Sequence, residues 1–152
     1  MTAVVTVDDG PAGPTAALFA QENGPDAAAL DADGTWMHNV HLFNYPGLGS
    51  MDGSVFMGTL RNQVNSFDID RPQGTEATDV AETDDGPRVE TDADPVEGTY
   101  LALATGANRD PAEALGCEAD GDVVDIGVSI ETGVEMGTGV ESAYATGASI
   151  EE

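Results

Sequence analysis

The chain contains no lysine, and its positive side chains are Arg61, Arg71, Arg88 and Arg109 against 29 acidic residues, a net charge of -25 over 152 residues. At moderate ionic strength that charge repels itself and opposes the compact state. In multimolar salt the screening length falls to roughly 3 Å, so neighbouring carboxylates scarcely interact and instead hold water and cations. The composition therefore points to an extreme halophile, or to a virus that lives on one. Four scattered arginines cannot form the basic footprint that phosphates need, which excludes sequence-specific binding of free nucleic acid. A single cysteine, Cys117, excludes an internal disulfide and a thiolate metal cage. No eighteen apolar residues run together, so no membrane span is expected. The first nine residues lack the basic and apolar regions of a secretory signal. Leu, Ile, Val and Phe make up only about one residue in five, so the core must be thin.

Turning to what is present, the apolar pattern favours strands. Val124, Ile126, Val128 and Ile130 alternate with Asp125, Gly127, Ser129 and Glu131, the period of a half-buried strand. Shorter apolar runs at 2–7, 35–43, 54–60, 62–69 and 99–104 are each bounded by Gly, Pro, Asp or Asn. Helical signals are short: Asp110-Pro111-Ala112-Glu113 carries an acid at the cap and proline at the first helical position, with Gly116 as the stop. Segments 14–22 and 26–30 read equally as short helices or loops. The expected fold is one all-β domain over 1–152, a small sandwich or barrel with one to three short helices. An exposed acidic loop or insertion is expected at about 70–97, dispensable for the fold.

No stretch of the chain carries a complete motif for catalysis or metal binding. Residues 44–53 are glycine-rich but lack the lysine and hydroxyl of a phosphate loop, and their glycines miss the dinucleotide spacing. No serine stands in a nucleophile elbow. His38 and His41, three apart in an expected strand, should face opposite ways and so cannot share an ion. Asp31-Ala32-Asp33-Gly34 and Asp120-Gly121-Asp122 could offer oxygen ligands, but neither continues into a calcium loop. The expectation is thus no catalytic residue, no metal, no cofactor and no enzyme.

Charge divides the chain more sharply than any structural signal. Between 35 and 67 the charged residues are Asp52 and Arg61 alone, while polar positions carry amides and hydroxyls where other segments carry carboxylates. Aromatic and Met anchors ringed by neutral polar groups are the composition of a subunit interface. Trp36, Phe43, Tyr45, Leu48, Met51 and Phe56 are therefore the candidate interface residues.

In the C-terminal half, residues 97–103, the turn at 110–116, 120–128 and 142–150 resemble the layout of capsid decoration proteins of tailed viruses. The resemblance covers about a third of the chain. It implies a structural subunit of a haloarchaeal virus particle, a decoration or turret protein that braces the shell, with a tail-tube subunit as the alternative. Its partners would be copies of itself and other virion proteins, assembled in the host cytoplasm without a membrane. The reading from another class is a stand-alone halophilic module binding a small ligand or calcium.

Overall fold

The computed structural model describes residues 2–8, 10–72, 74–106, 108, 110–116, 119–120, 129–130 and 143–145. Three parallel strands organise it. β1 (Thr2–Asp8) pairs on one side with β2 (Ala27–Asp31) and on the other with β7 (Val96–Ala104), and β10 (Ala143–Ala145) adds in parallel to the far edge of β7. Parallel neighbours require a crossover, and α1 (Ala12–Glu22) supplies it between β1 and β2. Parallel strands are covered on both faces, so β1 and β2 carry apolar residues almost without interruption.

One face is closed by a hairpin. β5 (Ala77–Thr83) and β6 (Gly86–Thr91) pair antiparallel, and β6 continues antiparallel onto the start of β7. Val80 and Val89 from this hairpin pack with Val5, Val7, Leu30, Leu101 and Leu103, and Ala112 of α3 (Asp110–Ala114) completes the cluster. Each buried aliphatic side chain contributes about 1.5 to 3 kcal/mol. The opposite face is closed by α1 and α2 (Gly53–Val64), where Ala17, Ala27, Ala29, Val64 and Ile69 form a second cluster. Small residues there let helix and sheet approach closely.

The remaining described elements are short. A 3-10 turn at Trp36–Asn39 leads to β3 (His41–Leu42), which pairs with β4 (Met51–Asp52) just before α2. A second 3-10 turn, Asn65–Phe67, follows α2, and β8 (Ala119–Asp120) pairs with β9 (Ser129–Ile130).

The all-β expectation is overturned. The fold is α/β, a mixed sheet with α1 and α2 on one face and the antiparallel hairpin with α3 on the other. The runs 54–60 and 62–69, expected as strands, are α2 as far as Val64 and then a 3-10 turn, because Met57, Leu60 and Val64 recur at helical spacing and turn toward the sheet. The segment 26–30, read as helix or loop, falls on the buried strand β2, where tertiary pairing overrides the helical preference of alanine. The acidic stretch at 70–97 is no dispensable loop, since it contains β5 and β6 and sends Val80 and Val89 into the core. α3 lies where the capped turn was expected, with Gly116 past its end at φ 76°. Most of the alternating segment at 124–130 lies outside the described residues.

Candidate functional site

The carboxyl ends of β1, β2 and β7 lie side by side, and loops following them converge there. From Asp8 the chain passes through Gly10 and Pro11 into the first turn of α1, which contains the buried Gly13. Among the described residues no side chain caps this helix start and no acid occupies its first turn. A helix start presents backbone N–H groups that lack intrahelical acceptors and carries partial positive charge, the ordinary requirement for holding a phosphate. A small recess of about 50 Å³ opens at these strand ends, with Val7, Leu30, Thr75 and Thr105 in its wall.

Asp31, the last residue of β2, stands beside a wider cleft of about 440 Å³. Its carboxylate is 1% exposed and fully engaged. Oδ1 accepts from the Asp33 backbone N–H at 2.8 Å and from Arg61 Nη2 at 3.0 Å. Oδ2 accepts from Arg61 Nε at 2.8 Å and from Arg71 Nη1 at 2.9 Å. Arg61 reaches in from α2 and also pairs with Asp33, while Arg71 donates from Nε to Asn65 at 3.1 Å. The Arg61 and Arg71 side chains are 12% and 4% exposed. Burial works against the charge of Arg61, but its bonds and attraction to Asp31, then to Asp33, outweigh that and hold its pKa above the ordinary value. The hydrogen bond from His38, with Arg61 assisting, holds the Asp33 carboxyl below its usual range against partial burial. Buried charges persist only when paired and hydrogen-bonded in this way.

The expected interface residues occupy the adjoining unit. Trp36 and Phe43 are 73% and 76% exposed, Tyr45 is about half exposed, and Leu48, Met51 and Phe56 are half-buried. Tyr45 and Phe56 touch ring to ring at 5.7 Å. The two histidines do not share a strand: His38, in the 3-10 turn, bonds Asp33 at 2.7 Å, whereas His41 of β3 has Nδ1 and Nε2 2.7 Å from Asp52 Oδ1 and Ser50 Oγ respectively. The order Asp52, His41, Ser50 is that of a hydrolytic relay, but with Asp52 72% exposed water competes for each bond. Its position across β3 and β4 makes it a latch that fixes the hairpin register. No cluster of metal-ligating side chains occurs among the described residues.

Sequence reasoning looked for a phosphate loop at 44–53 and missed 8–13. The signal was Val4-Val5-Thr6-Val7 followed by Asp8-Asp9-Gly10-Pro11-Ala12-Gly13, a helix, a second strand and an acid at position 31. Gly10 and Gly13 keep the last two glycines of a G-x-G-x-x-G turn, and Asp8 stands where the first would be. That replacement hid the motif.

No family model matches the chain, and no curated protein matches it in sequence. Solved structures do. The thioredoxin reductase of T. acidophilum is 27% identical with a TM-score of 0.64, over 70% of this chain and 36% of its own. The oxidoreductase from Agrobacterium tumefaciens superposes with a TM-score of 0.85 at 12% identity, covering 98% of this chain and 90% of its own. A ferredoxin-flavin thioredoxin reductase from Clostridium acetobutylicum gives 0.72 at 10% identity, covering 99% and 90%. The chain thus spans little more than a third of the length of the T. acidophilum enzyme. These neighbours are oxidoreductases, and they overturn the expectation of a non-enzymatic virion subunit, whether decoration protein, turret or tail tube. The fold they share with this chain is α/β, a parallel βαβ unit with its crevice at the carboxyl edge of the sheet.

Proposed function

We propose that the chain is the dinucleotide-binding domain of an oxidoreductase, taking an adenine dinucleotide of the flavin class. The observation that carries this reading is the unit β1, Gly10-Pro11-Ala12-Gly13, α1 and β2, closed by an acid at the end of β2. In such units the pyrophosphate rests on the helix start, the glycines let the backbone approach it, and the acid meets the ribose. The phosphate end fits here, because α1 begins uncapped by any described side chain. The ribose end differs, since Asp31 already accepts four hydrogen bonds. A ribose hydroxyl at that point would accept from the guanidinium groups of Arg61 and Arg71 instead of donating to the carboxylate. When bound, a flavin would supply the electron-transfer chemistry that no side chain of this domain offers. The chain's role is to hold and orient it. With one cysteine, these 152 residues contain no dithiol pair of their own, so disulfide exchange is no part of the proposal.

The test is titration of flavin adenine dinucleotide into the protein in concentrated KCl, read by flavin fluorescence. Saturable one-to-one binding is expected. Ala12→Asp adds a carboxylate to the first turn of α1, which favours the helix and repels a pyrophosphate. That variant should melt no lower than the parent yet bind at least about tenfold more weakly. Absence of binding by the folded parent, or equal affinity in both proteins, would overturn the proposal.

A further inference from the structure

We infer that the uncharged unit around the β3–β4 hairpin and the outer face of α2 is the contact surface for a second copy of this chain. The unit is continuous. The Gly53 N–H donates to the Val40 carbonyl at 2.9 Å, Ser54 Oγ donates to the His38 carbonyl at 3.1 Å, and Tyr45 leans on Phe56. From it Trp36, Phe43, Tyr45 and Val55 project into solvent, each more than half exposed. On α2 the exposed positions beside them are neutral, Thr59 and Asn62 among them. Its one cation, Arg61, turns inward to Asp31, and its one acid, Asp52, is bonded to His41.

The choice of occupant follows from charge. A basic partner would be drawn to the carboxylates that dominate the described surface elsewhere, and would gain little from a face whose one acid, Asp52, is already bonded to His41. Two copies of a chain of net charge -25 face the opposite problem, since contact through any acidic face sets carboxylate against carboxylate. The neutral face is where a two-fold pair can meet without that repulsion, and a two-fold contact sets the same patch on itself. Trp36, Phe43 and Tyr45 supply the aromatic anchors that dominate interface energies, with amides and hydroxyls as the rim. Concentrated salt strengthens apolar burial and screens the acidic remainder, so pairing is favoured under the conditions in which the composition places this chain.

The experiment is light scattering across a dilution series in concentrated KCl, together with the emission of Trp36, the single tryptophan. A dimer of twice the chain mass is expected, with emission shifting to shorter wavelength as concentration rises. Trp36→Asp combined with Phe43→Asp should give a monomer whose circular dichroism and flavin adenine dinucleotide affinity are unchanged. A parent that stays monomeric at its solubility limit would overturn the inference. So would a dimer in both proteins, or a doubling of mass with no change in Trp36 emission. The last readout needs no variant, so it decides the matter even if the double substitution fails to fold.

Discussion

Asp31, Arg61 and Arg71 join three parts of the chain that are far apart in sequence, the end of β2, the last turn of α2 and the segment leading to the acidic hairpin. Buried at this level, the trio is shielded from the salt that screens surface charges. Removing the shared carboxylate leaves the buried guanidinium of Arg71 without its acid, so Asp31→Asn should cost about 3 to 5 kcal/mol, measured by urea unfolding in concentrated KCl. Replacing all three by apolar residues of similar volume should recover most of that loss. Asp33 offers a gentler test. Its carboxyl titrates below the usual range in the folded chain because of the His38 hydrogen bond and Arg61, so the unfolded chain binds its proton first as pH falls. Its stabilisation is therefore complete above the unfolded value of about 4 and is lost as pH drops through the lower folded value. Asp33→Asn should flatten the pH dependence of the melting temperature in that acid range; an unaltered slope would show that the contribution is screened away.

The β5–β6 hairpin shows how an element with an acid at every third position on average can still serve the core. Only Val80 on β5 is buried, and β6 adds Val89 and Pro87. Val80→Ala and Val89→Ala should each destabilise by about 1 to 3 kcal/mol, seen as an earlier urea midpoint. Deleting 76–90 should abolish folding at every salt concentration. Gly86→Ala should also cost stability, since φ is 115° and a Cβ there would stand 2.4 Å from the Gly98 carbonyl oxygen. Much of this was hidden in the sequence. β1, β7 and α3 could be read from an apolar run or a cap, because local pattern sets them. One buried valine per strand amid carboxylates leaves too little periodicity to reveal a core element. β2 reads as helix or loop because alanine lacks the branching that marks strands, and its burial is decided by β1 and Asp70. The site suffered similarly: the glycine turn was legible but for Asp8, whereas pairings across 30 and 40 residues leave no local trace.

For the molecule as a whole, a thin core and a charge of -25 set the dependence on solvent. Dilution toward roughly 0.1 M salt lengthens screening to about 10 Å and restores repulsion among the carboxylates. The far-ultraviolet circular dichroism of the chain should then collapse and its radius of gyration grow. A melting temperature unchanged across that dilution would remove the halophilic reading. Dinucleotide binding should raise the melting temperature at any given salt, since ligand favours the folded form in proportion to its excess over Kd.

The outer edge of β2 has one further consequence. Ala27, Ala28 and Ala29 form a short, uncharged edge strand, the sort of template onto which a foreign strand adds. That edge is sealed by the segment at 68–70, where the Ala29 N–H donates to the Asp70 carbonyl at 2.9 Å and the Asp70 N–H to the Ala27 carbonyl at 3.3 Å. Asp68, in the left-handed conformation at φ 58°, turns the chain into place, and the aspartates on either side of Ile69 act as gatekeepers. Protection against aggregation thus rests on two hydrogen bonds at the margin of the sheet, and amyloid-type strand addition would begin where they open.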